Sequence, residues 1–160
     1  MISVEEYLNR SYDPDVEYVD GVLVERNIGD WLHSLVQSNV IFALGQKHPR
    51  IYALPGLRSQ TKPTRYRLPD ICVLLAPPKT RYLLDAAHIA IEILSESDSA
   101  SEVLEKLEEY AAKRVPNIWL LDPRLRHMST YRACNLTLVR GDTLSTSDGI
   151  ELTREEIFQS

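Results

Sequence analysis

The sequence has no uninterrupted apolar run approaching the ~20 residues that span a bilayer, so no membrane segment is expected. No basic stretch followed by a hydrophobic core opens the chain, and a secretory signal is not expected either. Cysteine is scarce: Cys72 and Cys134 lie far apart, and the first sits inside an apolar run. That suits reduced thiols in a cytoplasmic protein rather than a disulfide framework. Internal repeats, low-complexity segments and linker-like stretches are also missing. What remains is 160 residues, 44% apolar and 26% charged. This is enough for one domain, residues 1–160, with a sizeable core.

Positive charge is not in excess. The net charge is -5, which does not by itself suggest a nucleic-acid partner. Its distribution is uneven, however. Lys47, Arg50, Arg58, Lys62, Arg65, Arg67, Lys79 and Arg81 face a single acid, Asp70, within one segment, so the acidic surplus lies wholly in the rest of the chain. Two readings follow. The basic side chains converge on the carboxylate and contact phosphates, with Arg58, Lys62, Arg65 and Arg67 nearest to it in sequence. Alternatively they alternate outward along edge strands and keep the sheet soluble.

The central stretch runs from Arg67 to Tyr110. Pro69-Asp70-Ile71-Cys72-Val73-Leu74-Leu75 and His88-Ile89-Ala90-Ile91-Glu92-Ile93-Leu94 are short, continuous and rich in β-branched residues, as in strands buried on both faces. Alternation puts Asp70 on a face with Cys72 and Leu74, and Glu92 on a face with Ala90 and Leu94. A lone carboxylate among apolar side chains costs several kcal/mol, roughly, unless a partner or metal compensates it.

Around this centre the pattern predicts the following elements. A capped helix covers Ser3 to about Asn9. A hairpin turns at Asp20-Gly21. Asp30 caps a helix running to about Gln46, with an apolar face that includes Trp31 and Phe42. A strand at Ile51–Leu54 is hairpinned onto a second at Leu57–Thr61. A helix runs from about Ser99 to Lys113, and a buried strand from Asn117 to Leu121, parallel to the Glu92 strand. A hairpin at 128–140 and a helical turn at 154–158 end the chain. His33, in the first turn of its helix, is expected to be neutral beside the helix dipole. It is either solvated or a cleft residue. Glu17 reads most simply as a solvated strand residue.

Two acids on adjacent strands can bind one hard cation such as Mg²⁺, which prefers oxygen ligands and keeps several waters. A nearby lysine can stabilise developing negative charge. Lys106, at the border of its helix's apolar stripe, is the candidate. Its alternative is an exposed i,i+4 pair with Glu102.

Pro69-Asp70, Glu92-Ile93-Leu94-Ser95, Glu105-Lys106-Leu107-Glu108-Glu109-Tyr110 and Val115-Pro116-Asn117-Ile118-Trp119-Leu120-Leu121-Asp122-Pro123 together resemble the Uma-two family of restriction-endonuclease-like proteins, in the PD-(D/E)XK nuclease superfamily. Glu17-Tyr18-Val19-Asp20-Gly21-Val22-Leu23-Val24 is similar to the family's N-terminal hairpin, with aromatic and acid exchanged in order. His33 matches a histidine at the start of its first long helix.

The resemblance implies an α/β restriction-endonuclease-like fold, a central mixed β-sheet flanked by helices. It implies Mg²⁺- or Mn²⁺-dependent hydrolysis of DNA, with Asp70, Glu92 and the backbone carbonyl of Ile93 as metal ligands. No organic cofactor is implied. The superfamily's lysine stands two residues after the glutamate. Leu94 occupies that position here, so Lys106 would supply the amine from the helix, with Glu17 as an accessory acid. A homodimer fits double-strand cleavage, because one site cuts one strand. Glu96 departs from the family's pattern and adds a carboxylate that repels phosphate. It favours the alternative of a catalytically inactive nuclease-like binding or regulatory module.

Overall fold

The protein is described here by a computed structural model covering residues 1–27 and 29–160. Each boundary has a local cause. The Ser3 side chain accepts from Glu6 N at 3.1 Å and starts α1, Val4–Leu8. Strands β1, Glu17–Val19, and β2, Val22–Val24, meet at Asp20 (φ 50°) and Gly21 (φ 93°). Positive φ at both central residues is the twist a two-residue hairpin needs. Asp30 accepts from His33 N at 2.9 Å and opens α2, Trp31–Lys47. Next come β3, Tyr52–Leu54; β4, Ser59–Lys62; and β5, Arg65–Arg67. The acid-bearing region forms β6, Ile71–Leu74, and β7, Ile89–Ile93. Ser99 caps α3, Ala100–Ala112. The chain ends with β8, Asn117–Asp122; β9, His127–Arg132; β10, Asn135–Leu138; β11, Thr143–Ser145; β12, Glu151–Thr153; and α4, Arg154–Phe158.

A six-stranded mixed sheet, ordered β10-β9-β8-β7-β6-β3, forms the centre. Only β7 and β8 run parallel, joined by the α3 crossover, and the remaining neighbours are antiparallel. Helices flank both faces. On one, Val36, Val40 and Leu44 of α2 pack on Ile71, Val73, Ile89, Ile91, Trp119 and Leu121. On the other, Leu107 and Tyr110 of α3 pack on Ala90, Ile118 and Leu120. Each such buried aliphatic side chain contributes about 1.5–3 kcal/mol. A second sheet, β2-β1-β5-β4, is antiparallel throughout.

Two expectations change. β3 does not pair with β4. It joins β6 at the edge of the central sheet, while β4 turns back on β5. The Pro55-Gly56 turn therefore moves the chain from one sheet to the other. The apolar residues of α2 are also spread around the helix, so Trp31 and Phe42 remain 72% and 62% exposed.

Candidate active site

The two strands that carry the acids are antiparallel neighbours, with Ile71 opposite Ile91. One residue further along this register, Asp70 faces Glu92 across the sheet. Ile93 N donates to Asp70 Oδ2 at 2.7 Å and ties the aspartate to the neighbouring strand. Gln37 of α2 reaches Asp70 O at 2.8 Å and fixes the backbone there. Both carboxylates are buried, yet both line a cleft with Arg26, His33, Lys106 and Asp98. A second depression, lined by Glu17, Arg67 and Glu105, shares Arg26, Asn27, Asp98, Val103 and Lys106 with the first.

The acids differ electrostatically. Burial pushes the Asp70 pKa up. His33, Arg26 and the Ile93 N–H outweigh it and hold the group below its usual value. Arg26 Nη2 lies 2.6 Å from Asp70 Oδ1, and His33 Nε2 lies 3.1 Å from the same oxygen. Glu92 is pushed well above the ordinary carboxylate range by burial first and by the charge of Asp70 second. Lys106 and a 2.5 Å hydrogen bond from Tyr110 OH to Glu92 Oε1 oppose that shift without cancelling it. Among the described residues, Glu92 Oε2 has no hydrogen-bond donor. The pair therefore combines an ionised carboxylate with one driven toward its neutral form.

Lys106 points inward from α3, with Nζ 3.2 Å from Glu17 Oε1. Burial disfavours its charge, but Glu92 and Glu17 reverse this and raise its pKa. It is held in the cleft as a cation, not displayed beside Glu102. Glu17 is 1% exposed, so the solvated reading does not hold. Its carboxylate accepts from Leu68 N at 3.0 Å and Arg67 Nη1 at 3.1 Å. Arg67 is also bound by Glu109, whose other oxygen accepts from Thr61 Oγ1 at 2.8 Å. This buried network supports Lys106 from below.

His33 is a cleft residue, and its pKa moves upward rather than in the downward direction expected beside the helix dipole. Burial opposes the charged imidazole, whereas the hydrogen bond and charge of Asp70 raise its pKa above the ordinary value. The carboxylate contact outweighs both burial and the neighbouring Arg26 charge. Gly29 makes room for the ring, since a Cβ there would lie 2.6 Å from His33 Nδ1.

The basic segment does not act as a unit. Arg58 is 4% exposed, forks onto Asp15 at 2.7 and 2.8 Å, and donates to Tyr7 O and Arg10 O. Its guanidinium stacks over Tyr7. Arg58 and Arg67 are structural pins with no face left for a phosphate. Arg65 binds Asp20 and Glu105 at the rim, and Lys62 is exposed. The sequence reading missed Arg26, Tyr110, Gln37 and Glu109. Tyr110 and Glu109 carried a faint signal, their helical spacing from Lys106. Arg26 carried none.

A mixed sheet with helices on both faces, two opposed acids and a lysine at one cleft defines the nuclease fold class that the sequence resembled. The sequence profile of the Uma2 family, described as "Putative restriction endonuclease", matches residues 4–156, and the chain belongs to that family. Among solved structures, it is similar to a putative nuclease of the DUF820 group from Anabaena variabilis ATCC 29413. The TM-score is 0.83 at 22% identity, over 99% of this chain and 98% of that one. No curated protein matches the sequence.

Proposed function

We propose that this protein is a Mg²⁺- or Mn²⁺-dependent nuclease that hydrolyses DNA phosphodiester bonds. Asp70, Glu92 and the backbone carbonyl of Ile93 are its metal ligands. The observation that carries this reading is the opposition of two buried carboxylates at the wall of one cleft, with Asp70 held below its usual value and Glu92 pushed up by burial and then by the charge of Asp70. Such an arrangement costs the fold free energy that a bound cation returns.

The donor set fits a hard cation. Both side chains offer oxygen, and Glu92 Oε2 lacks a protein donor among the described residues. No group of three or more His, Cys, Asp or Glu side chains there could hold a metal alone. The remaining positions would fall to the carbonyl, water and substrate oxygens, the mixed set that Mg²⁺ accepts. When bound, such an ion polarises a phosphoryl oxygen and lowers the pKa of an attacking water.

The chain's own residues supply the rest. Lys106, fixed by Glu17, presents a positive charge to the negative charge that develops on the phosphoryl oxygens. Tyr110 orients Glu92. Lys62 and Arg65 offer the remaining phosphate contacts at the rim. A homodimer would bring two such sites to the two DNA strands, and the unpaired Cys72 and Cys134 suit a cytoplasmic setting.

A second reading has one observation in its favour: Asp70 Oδ1 is already engaged by Arg26 and His33. A silent binding module would need no more than that. Calorimetric titration of Mn²⁺ into wild type and Glu92→Ala, with plasmid nicking on the same samples, separates the two. Binding and nicking by wild type alone are expected. A folded wild type that neither binds nor nicks overturns the nuclease reading.

A further inference from the structure

Asp70 has two carboxylate oxygens, and only one can face an incoming ion. Oδ2 is tied inward by Ile93 N at 2.7 Å. Oδ1 faces the cleft and carries two groups, Arg26 Nη2 at 2.6 Å, the shorter contact, and His33 Nε2 at 3.1 Å. The guanidinium thus sits on the oxygen that a metal would use. Arg26 belongs to neither strand nor helix and lies just past β2, after Glu25. What holds it there is its neighbour. Asn27 Nδ2 donates to Asp98 Oδ1 at 2.7 Å and Ser97 O at 3.1 Å, and Asp98 Oδ2 accepts from Ser95 N at 2.8 Å. This strap ties the segment after β2 to the loop before α3, across the mouth of the cleft.

Resting on the metal-dependent reading above, we propose that Arg26 is a place-holding cation. It occupies the metal-facing oxygen of Asp70 in the metal-free protein, and a divalent ion binds only by displacing it, with the Asn27 strap setting how readily it leaves. Three physical points converge. Without the guanidinium, Asp70 and Glu92 would face each other with less compensation, so a resident cation stabilises the empty site. A guanidinium and a divalent ion cannot share one oxygen, because like charges that close repel strongly in a partly buried setting. The Arg26 side chain is 27% exposed and borders both depressions, so it has somewhere to go. Once released, its planar fork remains at the cleft mouth, where it suits a phosphate oxygen pair. Arg26 thereby becomes a positioning residue that links metal entry to phosphate binding.

The test is Mn²⁺ affinity by calorimetry in wild type, Arg26→Met, Asn27→Ala and Arg65→Met, with folding checked by near-ultraviolet circular dichroism. A residue that merely supported the site would weaken metal binding when removed. A place-holder strengthens it. Arg26→Met should bind about tenfold tighter or more, equivalent to about 1.4 kcal/mol. Asn27→Ala, which keeps the charge but cuts the strap, should gain a smaller factor. Arg65→Met removes a nearby cation that does not touch Asp70 and should change little. Equal or weaker binding by Arg26→Met overturns the proposal while leaving the metal site standing. So does an equal gain in Arg65→Met, which would reduce the effect to long-range charge. Wild type and Arg26→Met both failing to bind Mn²⁺ would remove the metal reading and this proposal with it. Binding by Arg26→Met alone supports both.

Discussion

Glu92→Gln should make the metal-free protein more stable. Glutamine keeps the shape of the side chain and an acceptor for Tyr110 OH, which donates to Glu92 Oε1 at 2.5 Å. It removes a charge that is disfavoured by burial and by Asp70. Lys106 loses one neighbouring charge but keeps Glu17 at 3.2 Å, so no buried cation is orphaned. Each unit by which the folded-state pKa exceeds the unfolded one is worth about 1.4 kcal/mol once the group is ionised. A poorly compensated buried carboxylate puts the gain on the order of 2 kcal/mol at neutral pH. For a chain of this size that is about 4–8 °C in Tm. The sign follows from the raised pKa. The native carboxyl contributes stability below its unfolded value and loses it as pH rises through the folded value. The advantage of the glutamine variant should therefore be small near about pH 4 and grow toward about pH 8. Urea melts in EDTA across that range measure it. With Mn²⁺ the order should shrink or reverse, because the ion stabilises only the form that binds it. A variant no more stable than wild type at about pH 8 in EDTA would show that Lys106 and Tyr110 fully compensate Glu92, contrary to the electrostatic argument.

Three further outcomes follow from the site and its supports. Arg58→Ala should cost about 2–4 kcal/mol in urea denaturation, because it strands two backbone carbonyls and Asp15, with a discount for the partial exposure of Asp15; a loss under about 0.5 kcal/mol would contradict the pin assignment. His33→Gln should cost about 1 kcal/mol near about pH 5.5 and progressively less toward about pH 9, since a raised histidine pKa gives stability that fades as pH climbs through it; a cost that grows with pH would reverse the charge assignment. Lys62→Gln should lower the salt dependence of DNA binding by about one unit in log K against log salt, measured by fluorescence anisotropy, and an unchanged slope would exclude Lys62 from the phosphate contacts.

Much of the molecule was legible along the chain because its signals are local. Asp20-Gly21 specifies its own turn, Ser3, Asp30 and Ser99 cap the helices they precede, and Asp70 and Glu92 stand out as charges within runs of β-branched residues. The resemblance of these pieces, in order, to one family reached the fold. Other features were set by pairings between distant segments. The short strand at Tyr52–Leu54 carries no mark of whether it will join β4 or β6. Its partner is chosen by the sheet edge left open beside β6. Arg58 and Arg67 looked like their exposed neighbours, yet Asp15, Glu17 and Glu109 draw them inside. Arg26 reaches Asp70 across 44 residues of sequence. Charge type and local periodicity belong to the sequence. Which charges meet, and so which acid stays ionised, which lysine is fixed and which arginine stands at the door of the cleft, depends on contacts that exist only after the two sheets and α3 have packed together.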